Sequence, residues 1–364
     1  MKLSDFDYDL PPELIAQKPV HPRDASRMLV VPRREGEIEH RHFYDLPAYL
    51  KAGDVLVLNQ TQVIPARLRA HKVPTGGAVE LLLLRKIDPT TWVTLVGGKR
   101  LNPGTRLEIY GSENKNKTRT IEAEIIETLD GARRVVRFAE PILPRLADVG
   151  EIPLPPYIRE PLADPDRYQT VFARHAGSAA APTAGLHFTG ELLLRLKEQG
   201  IRFAYCTLHI GLDTFQPVRT EHIEQHRMHS EWASLPAQEA QTINEAKLAG
   251  GRVIAVGTTV VRTLETAALL SAGEDPADGM APSASGYCPW RPVVAFEQET
   301  RLFIRPGYRF RIVDGMITNF HLPRSTLLML VSAFLGRERT LQAYEIAKAE
   351  RYRFYSFGDA MLIL

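Results

Sequence analysis

The segment Val79-Glu-Leu-Leu-Leu-Leu84 opens a series of short strand-like runs that decides the fold. The series continues with Thr91-Trp-Val-Thr-Leu-Val96, Arg106-Leu-Glu-Ile-Tyr110, Thr120-Ile-Glu-Ala-Glu-Ile-Ile126 and Arg133-Arg-Val-Val-Arg-Phe138. Gly, Pro, Asp or Asn bounds each run, and several alternate polar with apolar residues, as half-buried strands do. Five or six short strands with no helix between them predict a small antiparallel barrel.

Outside this block the chain alternates strands with helices. The runs Arg27-Met-Leu-Val-Val31 and Gly53-Asp-Val-Leu-Val-Leu-Asn59 precede the block and predict strands. After Leu154-Pro-Pro-Tyr157 the pattern predicts strands over 203–208 and 252–256, and helices over 191–199, 236–249, 259–270 and 327–335. We therefore predict an α/β fold, with a mixed α/β main domain over 1–65 and 156–364 and the barrel inserted at 66–155.

The composition excludes several classes of protein. The chain has 364 residues, 44% of them hydrophobic, and a formal net charge of +2. Such a balance argues against indiscriminate coating of nucleic acid, which needs a large positive excess, but allows one local basic face. Only two cysteines occur, in no CxxC pair, so a reducing cytoplasm is expected. The N-terminal residues include two acids and no apolar core, so no signal peptide is expected. The longest apolar run is about half of what a bilayer span needs, so no membrane association is expected.

Three polar clusters follow predicted strands or precede predicted helices. The first, Ala181-Pro-Thr-Ala-Gly-Leu-His-Phe-Thr189, presents hydroxyls and an imidazole at a helix start, which suits a polar ligand; an N-cap Thr with a packed His explains it as well. The second places His209 and Asp213 after a strand, where α/β proteins hold ligands. The third, Val256-Gly-Thr-Thr259, could hold an anion at a helix start; Arg262 and Glu265 behind it fit a surface pair better than a site.

Two further clusters lie towards the C-terminus. If residues 221–231 formed a helix, His222, His226 and His229 would share a face and suggest a metal, but the ligand spacing matches no zinc motif and no ligand set is complete. The segment Thr318-Asn-Phe-His-Leu-Pro-Arg-Ser-Thr326 precedes the apolar helix, with Ser325 or Thr326 as its N-cap. Tyr352-Arg-Phe-Tyr-Ser-Phe-Gly-Asp-Ala360 alternates aromatics with Arg, which fits either base stacking or a packed terminal strand.

Taken in this order, the clusters resemble one family, the S-adenosylmethionine:tRNA ribosyltransferase-isomerases of queuosine biosynthesis. The resemblance runs nearly end to end and rests on the stretches Phe6-Asp-Tyr-Asp-Leu-Pro-Pro-Glu13, Leu58-Asn-Gln-Thr-Gln-Val-Ile-Pro-Ala-Arg67, Leu154-Pro-Pro-Tyr-Ile158, Ala181-Pro-Thr-Ala-Gly-Leu-His-Phe188, His226-Arg-Met-His-Ser-Glu231, Ala255-Val-Gly-Thr-Thr259, Thr318-Asn-Phe-His-Leu-Pro323 and Tyr355-Ser-Phe-Gly-Asp-Ala-Met361.

The resemblance implies a Greek-key barrel inserted in an α/β domain, and a reaction. The ribosyl group of S-adenosylmethionine would be transferred to 7-aminomethyl-7-deazaguanine at the tRNA wobble position and isomerised, giving epoxyqueuosine-tRNA, adenine and methionine. S-adenosylmethionine is then a co-substrate, and no cofactor or metal is expected. A metal-dependent hydrolase and a non-catalytic RNA-binding module remain as alternatives. We expect a cytoplasmic monomer.

That chemistry needs acids and bases, polar contacts to the substrate and basic contacts to tRNA. The candidate acids and bases are His187, His209, His229, Glu231 and His321. The candidate substrate-binding residues are Thr183, Gly185, Gly257, Thr258, Thr259, Arg262, Asn319, Arg324 and Asp359. The candidate tRNA-binding residues are Arg67, Arg69, Lys72, Lys99 and Arg100.

Overall fold

The structure is a computed structural model that describes residues 1–111, 120–211, 218, 220–278 and 288–364. Asp213 lies outside the described residues. The chain divides into two compact units. One comprises Met1–Thr61, Pro156–His175 and Ala181–Leu364, and the other Gln62–Pro155 and Ala176–Ala180. The boundaries drawn from the sequence, after residues 65 and 155, stay a prediction.

The described strands and helices, numbered along the chain, have the following bounds. The strands are β1 (Arg27–Val31), β2 (Glu39–His42), β3 (Val55–Asn59), β4 (Thr61–Val63), β5 (Arg67–Val73), β6 (Ala78–Lys86), β7 (Thr91–Gly97), β8 (Arg106–Tyr110), β9 (Ile121–Thr128), β10 (Arg133–Phe138), β11 (Gly150–Glu151), β12 (His175–Ser178), β13 (Arg202–Leu208), β14 (Glu231–Leu235), β15 (Val253–Val256), β16 (Phe296–Thr300), β17 (Gly315–Asn319) and β18 (Ala360–Ile363). The helices are α1 (Leu146–Val149), α2 (Gly190–Glu198), α3 (Ala237–Leu248), α4 (Thr258–Ser271), α5 (Thr326–Leu335) and α6 (Arg337–Ala349).

The larger unit contains a mixed sheet in the order β16-β14-β13-β3-β15-β17-β18-β1-β2. Its centre is parallel, because β3 runs parallel to both β13 and β15, and β15 runs parallel to β17. Central parallel strands are covered on both faces and are therefore apolar throughout. Every residue of β3 and of β15 is buried, in agreement with that rule.

Alternate residues of the central strands feed two separate cores. Val55 and Val57 of β3 join the core that holds residues of α3, α4, α5 and α6. Leu56 and Leu58 point the other way, into a core with Leu192 of α2. Because successive side chains of a strand point to opposite faces, helices cover both faces of the sheet. Among the described residues no helix is both long and apolar enough to cross a membrane.

The smaller unit contains a closed antiparallel barrel. Its strands follow the order β5-β6-β7-β10-β9-β8, and β8 pairs with β5 to close the ring. The order β8-β5-β6-β7 is a Greek key, since the fourth strand returns to lie beside the first. The predicted fold class, an α/β domain with an inserted small barrel, is confirmed. Strands β8 and β10 have the predicted bounds, whereas β5 was not among the predicted strands.

The predicted helices are confirmed, with ends that differ by at most one residue. Ser325 caps α5 by accepting a hydrogen bond from the N–H of Leu328, and Thr189 caps α2 in the same way through Leu192. The helix considered over residues 221–231 is wrong. Only a short 3₁₀ turn, Ile223–Gln225, forms there, and His226 after it is extended.

Candidate active site

A cleft opens in the larger unit where β15 and β17 end. Its empty volume, including the part open to solvent, is about 600 Å³. Seven separate stretches of the chain line it. The polar residues and glycine in the lining are Tyr157, Thr183, Gly257, Thr258, Thr259, Thr318, Asn319, His321, Tyr355 and Ser356. The carboxyl ends of parallel strands are the usual ligand-binding edge of an α/β sheet.

Helix α4 begins at one wall of this cleft. Gly257 before it has φ = 98°, a left-handed conformation that favours glycine. The N–H groups of Val260 and Val261 are bonded to the Gly257 carbonyl, at 3.1 and 3.2 Å. The N–H groups at the first turn of a helix favour anionic or polar ligand atoms. Since Thr258 and Thr259 line the cleft, this turn is a candidate ligand contact, as the sequence predicted.

His187 lies behind the wall of the cleft and not in its lining. The ring is 5% exposed and stacks on Phe43, with centroids 5.0 Å apart. Its Nδ1 lies 2.7 Å from Ser26 Oγ, and its Nε2 lies 3.3 Å from Asn319 Nδ2. Burial, followed by the charges of Arg353 and Arg23, lowers the pKa of His187 to about 3. The ring is therefore neutral at pH 7.

His321 is the predicted acid or base that the described cleft lining includes. Its Nε2 lies 2.7 Å from Thr318 Oγ1, and its main-chain N–H donates to the Tyr344 hydroxyl at 2.9 Å. Burial lowers the pKa of His321 to about 3. This ring is also neutral at pH 7.

His209 directly follows β13. Its Nδ1 lies 2.8 Å from Thr61 Oγ1, and its ring stacks on Trp232 with centroids 4.9 Å apart. Burial, followed by the charge of His175, lowers the pKa of His209 to about 4. The next residue, Ile210, lines the cleft, whereas His209 does not.

Glu231 and Arg262 form a buried ion pair, and both side chains are 5% exposed or less. Glu231 also accepts from the N–H of Gly211 at 3.2 Å and lies 3.4 Å from His229 Nε2. Burial by itself would raise the pKa of Glu231, but the charge of Arg262 and the contact with His229 lower it to about 2. Arg262 also donates to the carbonyls of Leu302 and Thr300 at 3.2 and 3.4 Å. Arg262 is therefore held within the fold and is not in the cleft lining.

The interpretation of Arg262 and Glu265 as a surface pair is wrong, because Glu265 is fully buried. Its carboxylate accepts from the Tyr308 hydroxyl at 3.0 Å and from the main-chain N–H groups of Arg311, Ile312 and Val313. Burial, only partly offset by these bonds, raises the pKa of Glu265. This carboxylate anchors the segment 308–313 to α4.

Other predicted substrate contacts lie away from the cleft lining. Asp359 is buried and accepts from the N–H groups of Arg27 and Arg353 at 3.1 and 2.8 Å. Arg324 pairs with Asp7 on the surface. Gly185 allows close packing, since a Cβ there would lie 2.9 Å from atoms of Phe172 and Thr170. The aromatics Tyr352 and Phe354 near the C-terminus are fully buried, which favours the packed explanation of that segment.

The predicted tRNA-binding residues all belong to the smaller unit. Arg67 lies 3.7 Å from Glu80, and Arg69 lies 3.1 Å from Glu151. Lys72 Nζ donates to the carbonyls of Lys99 and Arg100, while the side chains of those two residues are exposed. Two of the five cations therefore already have carboxylate partners.

The three histidines considered for a metal do not converge. His222 pairs with Lys2 in an isolated β-bridge, and His226 packs edge-on against Phe303. His229 instead contacts Glu231. Within the described parts of the chain, no group of three His, Cys, Asp or Glu side chains is placed to hold an ion.

Sequence reasoning missed several residues of the site. Tyr157 and Tyr355 line the cleft with ring centroids 4.7 Å apart, and Tyr157 Oη lies 2.7 Å from Ser356 Oγ. All three occur in the stretches that carry the family resemblance, which was the available signal. Ser26, the partner of His187, had no such signal.

Comparison with known proteins identifies the family. A family model described as "Queuosine biosynthesis protein" matches residues 3–363. The chain belongs to this family. Relatives from Moorella thermoacetica and Thermus thermophilus, both named S-adenosylmethionine:tRNA ribosyltransferase-isomerase, are 53% and 51% identical to it. The alignments cover 100% of this chain and 100% and 99% of the two relatives.

A solved structure of the family agrees with the fold. The crystal structure of S-adenosylmethionine tRNA ribosyltransferase from Thermotoga maritima matches with a TM-score of 0.54 and 38% identity, over 99% of this chain and 100% of that one. The chain is therefore an enzyme of the S-adenosylmethionine:tRNA ribosyltransferase-isomerase family, as the resemblance predicted.

Proposed function

We propose that this enzyme transfers and isomerises the ribosyl moiety of S-adenosylmethionine onto 7-aminomethyl-7-deazaguanine at the tRNA wobble position. The products are epoxyqueuosine-tRNA, adenine and methionine. The observation that carries the proposal is the end-to-end match with proteins named for this class of reaction. The main sheet of the chain also has a cleft with convergent polar groups at its carboxyl edge.

The cleft supplies groups that suit a nucleoside-sized ligand. Tyr157 and Tyr355 offer aromatic surface for a base, and the start of α4 offers main-chain donors. Hydroxyls and amides along the other walls suit a ribose, whose own groups both donate and accept hydrogen bonds. A site that is mostly apolar, with a few convergent polar groups, is typical of small-molecule binding.

We assign His321 to the proton beside the sulfonium. In the tautomer whose Nε2–H donates to Thr318 Oγ1, its Nδ1 lone pair can accept that proton. The carbon that loses the proton becomes negative and attracts the imidazolium, which offsets the cost of charging a buried ring. His187, His209, His229 and Glu231 are further candidates, although none of them is among the described residues that line the cleft.

The proposal also covers the partners and the setting. The tRNA would contact local basic groups, because the net charge of +2 provides no general attraction. No cofactor is needed, since the sulfonium of the co-substrate activates the reacting carbon. A reducing cytoplasm suits the two free cysteines, of which Cys206 is buried with a pKa raised by that burial to about 12. We propose a monomer, to be checked by sedimentation.

The test is a complete reaction. The enzyme is incubated with S-adenosylmethionine and tRNA that carries the aminomethyl-deazaguanine, and the products are separated by mass spectrometry. We expect free adenine, free methionine and a heavier tRNA. Formation of S-adenosylhomocysteine instead would indicate a methyltransferase, and tight tRNA binding without adenine release would indicate an RNA-binding module. Either result overturns the proposal.

A further inference from the structure

Four side chains form a continuous hydrogen-bonded chain that ends at the cleft. It runs from Ser26 through His187 and Asn319 to Thr183, with distances of 2.7, 3.3 and 3.0 Å. Thr183 and Asn319 line the cleft, whereas Ser26 and His187 are buried behind it. A carbonyl or amide oxygen only accepts a hydrogen bond, and an amide nitrogen only donates one. These limits fix the donor and the acceptor of every hydrogen bond in the series.

The main chain fixes the orientation of Asn319. Its Nδ2 lies 3.2 Å from the carbonyl of Tyr355, and a carbonyl only accepts. The atom facing Tyr355 must therefore be the amide nitrogen, and the oxygen must face Thr183. Since Oδ1 only accepts, the Thr183 hydroxyl donates its single hydrogen to it.

The same nitrogen fixes the tautomer of His187. Nδ2 carries two hydrogens and no lone pair that accepts, so His187 Nε2 must be the acceptor of the second one. The proton of the neutral ring is then on Nδ1 and is donated to Ser26 Oγ. The burial of His187 favours a neutral ring. The donor and the acceptor of each of the three hydrogen bonds are therefore fixed.

We infer that Thr183 Oγ1 is a specificity-determining contact that offers the cleft only lone pairs, and so selects a hydrogen-bond donor on the ligand. The inference rests on the proposed function, in which that donor belongs to the adenosyl part of S-adenosylmethionine, as a ribose hydroxyl or the adenine amino group. His187 and Ser26 are positioning residues in this arrangement, because they act through Asn319 and do not line the cleft.

The first experiment determines, without any ligand, which ring nitrogen of His187 carries the proton, and therefore the direction of the hydrogen bonds. Long-range ¹H–¹⁵N spectra of protein labelled at its 11 histidines distinguish the Nδ1–H from the Nε2–H tautomer. The signal that disappears in His187→Gln belongs to His187, and a signal shifted in Ser26→Ala identifies it independently if His187→Gln does not fold. We expect Nδ1–H. An Nε2–H tautomer, or a charged ring at pH 7, overturns the inference.

The second experiment measures ligand binding by calorimetry. The ligands are S-adenosylmethionine, its 2′-deoxy and 3′-deoxy analogues, the two analogues with fluorine in place of each hydroxyl, and the analogue without the adenine amino group. Removing one partner of a buried hydrogen bond typically weakens binding about tenfold. We expect Thr183→Val to weaken S-adenosylmethionine binding by about that factor, and one deoxy or desamino analogue to be weakened equally in wild type.

The analogue that binds more weakly to wild type should bind to Thr183→Val with the same affinity as to wild type, since both changes remove the same hydrogen bond. If the donor is a hydroxyl, its fluorine analogue should bind as poorly as the deoxy compound, because fluorine cannot donate. The control is Thr242→Val, on the exposed face of α3, whose hydroxyl bonds only the carbonyl of Gln238. It should bind every ligand as wild type does.

The results separate this inference from the proposed function. If wild type binds S-adenosylmethionine and releases adenine, but Thr183→Val binds every ligand as wild type does, the inference is wrong and the function stands. If removal of one hydroxyl weakens binding as much as Thr183→Val does, but the fluorine analogue at that same position binds as well as S-adenosylmethionine, the inference is also wrong. If wild type gives the Nδ1–H tautomer but no adenine, the hydrogen-bond direction stands and the proposed function fails.

Discussion

Replacement of Arg262 by leucine should destabilise the enzyme strongly while leaving the walls of the cleft in place. The change removes the cation that pairs with the buried Glu231 carboxylate, and nothing in the leucine side chain can replace it. The carboxylate keeps the N–H of Gly211 and the contact with His229. Breaking a buried pair by removing one partner costs roughly 3–5 kcal/mol.

The loss should depend on pH in a defined direction. In wild type the pKa of Glu231 is lowered to about 2, so its contribution is fully present above the unfolded value of about 4.5 and is lost as pH falls towards 2. In Arg262→Leu the guanidinium, the largest influence that lowers this pKa, is gone, so the pKa of Glu231 rises above its wild-type value. The stability difference between the two proteins is therefore largest near pH 7 and shrinks as the pH falls and the carboxylate is protonated.

Urea unfolding followed by circular dichroism at pH 7, 6 and 5 measures this difference. The double variant Glu231→Met with Arg262→Met should recover much of the loss, because apolar groups can replace a buried pair. Lys18→Ala, which breaks the exposed pair with Glu160, should leave stability almost unchanged. An Arg262→Leu enzyme as stable as wild type, with a raised KM for S-adenosylmethionine, would refute this reasoning and support direct substrate binding.

Four further predictions concern the cleft, the packing behind it and the partners. His321→Ala should lower the rate of adenine release at saturating substrate by about a hundredfold or more, and near-normal turnover in His321→Gln would limit the ring to positioning. Gly185→Ala should cost roughly 1–3 kcal/mol in urea unfolding, because its Cβ would lie 2.9 Å from Phe172 and Thr170; an unchanged midpoint contradicts this packing. Removing the exposed charges of Lys99 and Arg100 should flatten the salt dependence of tRNA affinity more than removing Arg67 and Arg69, which already face Glu80 and Glu151; the opposite order would place the contact at the paired arginines. Turnover should survive exhaustive chelation, and a loss that one divalent ion restores would revive a metal at His222, His226 and His229.

Much of the fold was predictable because local patterns decide it. Strands β8 and β9 alternate polar and apolar residues over most of their length, and α4 and α5 begin at recognisable polar turns. Strand β5 was missed because Arg67 and Arg69 were interpreted as a basic surface. They alternate with the buried Leu68 and Ala70 and therefore lie on the outer face of the barrel. Both descriptions fit the same residues.

The candidate site was predictable only in part, since burial and partners are set by distant segments. The sequence predicts polar residues at the start of α4 and after β17, and these line the cleft. It gives no sign that His187 is enclosed by Phe43 and Ser26, which precede it by more than a hundred positions. The burial of Glu265 depends in the same way on main-chain donors from the segment 311–313.

The position of β18 inside the main sheet constrains the order in which the protein can fold. This strand lies between β17 and β1, and it pairs Ala360 with Met28. During synthesis β1 and β2 emerge early, but a lone two-stranded hairpin is only marginally stable in water. Strand β18, the neighbour that pairs with β1, is synthesised more than three hundred residues later. The barrel strands all lie between residues 67 and 138, so the barrel can close first. The larger unit, although it contains the first residues of the chain, is therefore expected to be the last to fold.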